Sequence, residues 1–111
     1  MAYFFDSNKE IEKMLAEGKR ACDVLGEAQG CVNGCHAGIT IYGETEYGKG
    51  GTHEDQECFL VLEGKGMATI GDQEFPIYPG ITMVAPAGVF HVFKRDQESV
   101  PVKIFWFHAA I

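Results

Sequence analysis

What most constrains this chain is a cadence of short β-rich runs broken by tight turns. Residues 21–25, 32–42, 58–62, 67–70, 74–77, 82–85, 89–94 and 102–108 are rich in β-branched and aromatic side chains, which fit a pleated, half-buried surface. Between them stand Glu63-Gly64-Lys65-Gly66, Gly71-Asp72-Gln73, Tyr78-Pro79-Gly80 and Pro86-Ala87-Gly88. Proline presets the first turn dihedral and glycine accepts a positive φ, so these stretches reverse the chain. Short runs joined by tight turns predict antiparallel pairing in an all-β sandwich or barrel.

One segment departs from this rhythm. Ser7-Asn8-Lys9-Glu10 reads as a capping box, Ile11, Met14 and Leu15 follow at helical spacing, and Gly18 supplies a stop. This predicts a single amphipathic helix over residues 8–17. The expected organisation is an N-terminal helical segment, residues 1–20, packed on a β-barrel domain, residues 21–111. At 111 residues, 46% of them apolar, the chain suffices for one domain with a sizeable core.

Charge excludes several roles. Sixteen acidic residues stand against nine basic ones, for a formal charge of −7. No basic run exists to engage a phosphate backbone or an anionic membrane surface, so neither nucleic acid nor membrane is an expected partner. The apolar stretches fall well short of the ~20 residues that a membrane span needs. The start, MAYFFDSNKE, lacks both a basic lead and a long apolar run, so the cytoplasm is the expected location. There the four cysteines, Cys22, Cys31, Cys35 and Cys58, are expected to be reduced. Cys31-x3-Cys35-His36 resembles half a zinc site but lacks the fourth ligand and the second short pair. Small, buried apolar residues on a strand are the simpler reading.

Chemistry concentrates in the stretch GGTHEDQECFLVLEGKG, residues 50–66. On a straight strand His53 and Glu57 would be ~13 Å apart, too far to share an ion. A bend at Glu54-Asp55-Gln56 would turn them toward each other. From Glu57 onward alternation sets Glu57, Phe59 and Val61 on one face and Cys58, Leu60 and Leu62 on the other. If Glu57 points inward, Cys58 points out. A second stretch, Gly80-Ile81-Thr82-Met83-Val84-Ala85-Pro86-Ala87-Gly88-Val89-Phe90-His91, reads as strand, Pro-x-Gly turn, strand. The turn fixes the direction of His91, whose apolar neighbours Phe90 and Phe93 also suit a core histidine.

Together the two stretches resemble the paired motifs of the cupin superfamily. In the first, His53 falls on the second histidine, Glu57 on the glutamate and Gly64 on the closing glycine; VLEGKG resembles the segment that follows. In the second, Gly80, Pro86, Gly88 and His91 match every position through the histidine. The resemblance runs over residues 30–108. The first histidine of the first motif falls on Gly51, and the asparagine that closes the second motif falls on Arg95. The resemblance implies an antiparallel double-stranded β-helix, the jelly-roll cupin barrel, with a ligand set of His53, Glu57 and His91. Two imidazoles and a carboxylate suit iron(II), manganese, nickel or zinc and leave positions open for water, dioxygen or substrate.

The cupin fold hosts many reactions, so it implies a site and not a reaction. A metalloenzyme of oxygenase, isomerase, lyase or decarboxylase type acting on a small polar metabolite is the leading reading. A non-catalytic metabolite-binding or sensing module, with or without metal, is the alternative, and a barrel that has lost its site is a third. His36, on a strand bordering the cavity, Asp55 and Gln56 are the candidates to replace the missing ligand. His108 is expected at the rim or surface, and the surrounding Phe105-Trp106-Phe107 in the core. Outward Leu60 and Leu62, with Phe4 and Phe5, predict a homodimer.

Overall fold

A computed structural model describes residues 2–109. Its elements run α1 (Asn8–Ala16), β1 (Ala21–Leu25), a 3-10 turn (Glu27–Gln29), β2 (His36–Tyr42), β3 (Glu57–Glu63), β4 (Gly66–Ile70), β5 (Gln73–Ile77), β6 (Thr82–Ala85), β7 (His91–Arg95) and β8 (Val102–His108). All pairings between strands are antiparallel. One sheet has the order β1-β2-β8-β3-β6 and the other β5-β4-β7. The predicted all-β jelly roll with one short helix is the fold observed.

Alternation explains why the two sheets face each other. In β3, Glu57, Phe59 and Val61 are buried, and in β8 Val102, Ile104 and Trp106 are. Apart from Glu57, these side chains form one apolar cluster with Ala68, Ile77 and Phe93 of the smaller sheet. Burying each large aliphatic or aromatic side chain contributes roughly 1.5–3 kcal/mol, so the stripe from both sheets is what holds the sandwich closed. The polar tip of Trp106 is satisfied: its Nε1–H donates to Thr40 Oγ1 at 2.8 Å.

Two local expectations are corrected. Ser7 precedes α1 but makes no side-chain capping bond; instead Asn8 N–H donates to Asp6 Oδ1 at 3.0 Å. The second strand begins at His36, not at residue 32. Asn33 (φ 55°) and Gly34 (φ 80°) take left-handed conformations that a strand cannot accommodate.

Helix α1 lies beside β1, where its buried Met14 shares a crevice with Cys22. The outer faces of β3, β6 and β8 have no such cover among the described residues. Leu62, Val84 and Phe107 are exposed there, and Cys58, Leu60 and Phe105 are half-buried.

Candidate metal centre

Strand register assembles the site. Glu57 opens β3 and His108 closes β8, and the two are direct cross-strand partners. His36, the first residue of β2, is partnered with His108 from the other side. Antiparallel partners carry their side chains on one face with Cβ atoms ~4.5–5.5 Å apart. His36, His108 and Glu57 therefore make a row across one end of the larger sheet.

His53 reaches the same end through the expected bend. Residues 54 and 55 turn the chain, and His53 Nε2 comes to 3.2 Å from Glu57 Oε1. The bend is tied down where Gly88 N–H donates to the His53 carbonyl at 2.8 Å. Gly88, at φ 78°, occupies the left-handed corner of the turn ahead of β7, and Val89 N–H closes that turn onto the Pro86 carbonyl at 3.0 Å. His91 opens β7 and points inward, with Nε2 at 3.3 Å from Glu57 Oε1. Glu57 and His91 are the only buried charged or titratable side chains among the described residues.

The expectation for His108 was wrong. It is not a rim residue: its side chain is 12% exposed and Nε2 lies 3.5 Å from Glu57 Oε1. Period-two counting back from the end of β8 through Trp106, Ile104 and Val102 already places it on the inner face. Asp55, treated as part of the bend, also does more. Its Oδ2 accepts from His108 Nδ1–H at 2.7 Å, and its Oδ1 stands 3.4 Å from His53 Nδ1. Burial pushes the Asp55 carboxyl up, but the hydrogen bond and charge of His108, its own backbone and His53 outweigh this and hold it below the usual range.

The donor atoms of His53, Glu57 and His108 all lie within 4.8 Å of one another. His91 stands outside that mutual group, although it contacts Glu57. Its pKa is raised because hydrogen bonding to Glu57, with help from the Val89 carbonyl and the Glu57 charge, outweighs burial. His91 Nδ1 faces that carbonyl at 3.4 Å. His36 is not a donor to this group. Its Nδ1 hydrogen-bonds the Gly34 carbonyl at 2.9 Å, and its ring stacks on His108 with centroids 4.3 Å apart and an 8° interplanar angle. Gln56 is exposed and is not one of the clustered donors.

The Cys31-x3-Cys35-His36 segment gathers no set of three metal donors among the described residues, and all four cysteines are free. Cys58 faces outward with Leu60, Val84 and Phe107, as alternation requires.

A cavity of about 430 Å³ adjoins His91 and is lined also by Thr40, Tyr42, Gly48, Gly51 and Phe93. Arg20, Glu44 and Glu46 reach it as well. Burial and the Glu57 charge raise the Tyr42 phenol well above its ordinary pKa, against a lowering bond to Thr40. A larger hollow, about 700 Å³, lies by Lys65, Asp96 and Ser99 and contains no histidine.

A jelly-roll barrel with histidines and a glutamate gathered at one end defines the class of double-stranded β-helix proteins. The chain belongs to the cupin family: a family model, the cupin domain, matches residues 40–108. Solved structures agree in fold. The cupin domain of Schizosaccharomyces pombe Cnp3 superposes with a TM-score of 0.67 at 17% identity, covering 82% of this chain and 60% of that one. A cupin 2 domain-containing protein from Halorhodospira halophila gives 0.70 at 13% identity, covering 82% and 63%. A cupin superfamily protein from Desulfitobacterium hafniense gives 0.66 at 13% identity, covering 82% and 76%. This chain thus spans less than two thirds of the first two. Comparison with curated protein sequences finds no match.

Proposed function

We propose that this cupin binds one divalent transition metal through His53, Glu57 and His91 and acts as a metalloenzyme on a small polar metabolite. One observation carries the reading: imidazole nitrogens converge on a single oxygen of a buried carboxylate. His53 and His91 contact Glu57 Oε1 at 3.2 and 3.3 Å. Charge-assisted N–H···O bonds are shorter, ~2.7–2.9 Å. Two ligands bonded at ~2.0–2.2 Å to one ion are separated by about 3.0 Å at a right angle and about 3.4 Å at the tetrahedral angle. Each pair with Glu57 therefore has the spacing of two ligands on one ion of the iron, manganese, nickel or zinc type, and His91 would close toward the His53–Glu57–His108 group on binding.

Such an ion supplies Lewis acidity or oxygen activation. The chain's own residues do the rest. His91 faces the Val89 carbonyl through Nδ1, which leaves Nε2 free to act as a ligand. Phe59 and Phe93 pack around His91 and exclude water from its inner side. A cavity of about 430 Å³ beside it is within the ~300–1,000 Å³ range of small-molecule sites. Polar Thr40 and Tyr42 among its walls suit a polar metabolite.

We also read the bare outer face of β3, β6 and β8 as a homodimer contact, and four free thiols as consistent with a reducing cytoplasm. The test is metal content after purification without chelator. About one metal per chain, lost in His53→Ala and His91→Ala, is the expected result; no metal in the parent protein would sink the reading. Oxygen uptake by the iron-loaded protein then separates oxygen chemistry from isomerase or lyase chemistry.

A further inference from the structure

We propose that His108 supplies the imidazole that Gly51 lacks, so that the centre carries three histidine Nε2 ligands and the Glu57 carboxylate. The inference rests on the metal-binding reading above and deepens it. The ligand has moved from the strand entrance ahead of β3 to the end of β8, where register makes it the cross-strand partner of Glu57.

Distance is the first argument. His108 Nε2 lies 3.5 Å from the Glu57 Oε1 that His53 and His91 also face. That spacing matches two ligands around one ion with bonds of ~2.0–2.2 Å, close to the tetrahedral edge. His108 also completes the tight donor group with His53 and Glu57.

Orientation is the second. One carboxylate, Asp55, stands behind two of the three imidazoles: it accepts from His108 Nδ1–H at 2.7 Å and faces His53 Nδ1 as an ion-pair partner at 3.4 Å. A carboxylate behind a ligating histidine fixes ring and tautomer and raises ligand basicity. The short bond to His108 keeps its Nδ1 protonated and its Nε2 lone pair toward Glu57. Stacked His36 blocks the ring from turning away.

Space is the third. Gly51 is bridged to His91, exchanging backbone bonds of 3.0 and 2.9 Å. A Cβ built on Gly51 would meet only His91 Nε2, at 3.9 Å, an ordinary contact. A side chain there would thus start beside the donor atoms, and its position is empty of any other group. The missing ligand and His108 address the same site from different strands.

A ligand swap tests this. Metal-free protein would be titrated with Co²⁺, following the visible ligand-field absorption, for the parent chain, His108→Ala, Gly51→His and the double variant Gly51→His/His108→Ala. The parent should bind one ion. His108→Ala should bind at least ~10-fold more weakly, the lower bound known for disturbing ligand support, with an altered spectrum. The double variant should recover most of the lost affinity and a parent-like spectrum. Far-ultraviolet circular dichroism checks folding, and His108→Gln replaces His108→Ala should the latter unfold. A His108 variant that binds with parent affinity and spectrum, or a swap that restores nothing, overturns the relocation alone. A folded parent that binds no Co²⁺ overturns the metal centre and the relocation together.

Discussion

Replacing Asp55 by asparagine isolates the support behind the imidazoles from the ligands themselves. Asp55 accepts from His108 Nδ1–H at 2.7 Å and faces His53 Nδ1 at 3.4 Å. Asparagine keeps the shape but offers one acceptor oxygen and one NH2 donor. If the NH2 takes the acceptor's place at His108, that ring must carry its proton on Nε2, where a metal must bind, and in either orientation the negative charge that faces His53 is lost. Loss of outer support of this kind weakens metal binding ~10–100-fold, or about 1.4–2.7 kcal/mol. A charge-assisted hydrogen bond contributes ~1.5–3 kcal/mol to stability. With the Asp55 side chain 22% exposed, solvent screening places the metal-free destabilisation at about 1 kcal/mol, somewhat below that range. Metal competition against a chromophoric chelator reads the first effect and urea unfolding without metal reads the second. Metal affinity within ~3-fold of the parent would refute the orienting role of Asp55, since that lies below the 10-fold lower bound.

The remaining expectations are independent of the metal. Tyr42 is held neutral by burial and by the Glu57 charge. Its raised folded-state pKa adds stability that is fully present below the unfolded tyrosine pKa, ~10, and is lost as pH rises toward the folded value. Absorbance at alkaline pH should show one late-ionising phenol that Tyr42→Phe removes; a titration in which Tyr42→Phe removes only an ordinary tyrosine would contradict this. The bare outer face, with Phe107 40% and Val84 49% exposed, predicts a dimer by light scattering that Phe107→Glu converts to monomer. A parent protein of ~12 kDa in solution, one chain, would refute the contact.

The fold was legible because each strand run carries its own period of two and each turn its own glycine or proline. Where that failed, the cause was local. Residues 31–35 have strand-like cysteines and a valine, yet Asn33 and Gly34 adopt left-handed φ and delay β2 to His36. Ser7 and Glu10 have the spacing of a capping box, but Asp6 takes the first free amide instead. In the site, His53 and Glu57 could be paired from sequence because a bend over three turn-forming residues is a local event, and His91 because a rigid Pro-x-Gly turn precedes it. His108 could not be paired so easily. Its contact with Glu57 depends on the register of β3 on β8, a long-range pairing that a motif does not encode. Its inward direction, however, could be counted from Trp106, Ile104 and Val102. Asp55 was hidden for another reason: a residue comfortable in a bend needs no further explanation until its carboxylate is found between two imidazoles.

Anomalous scattering from crystals grown with Zn²⁺ or Co²⁺ tests the central claim most directly. The account predicts one peak at this end of the barrel, within ~2.0–2.2 Å of His53 Nε2, His91 Nε2 and a Glu57 oxygen, with His108 Nε2 as the further ligand. An empty site, or a metal peak found instead at Cys31 and Cys35, would contradict it.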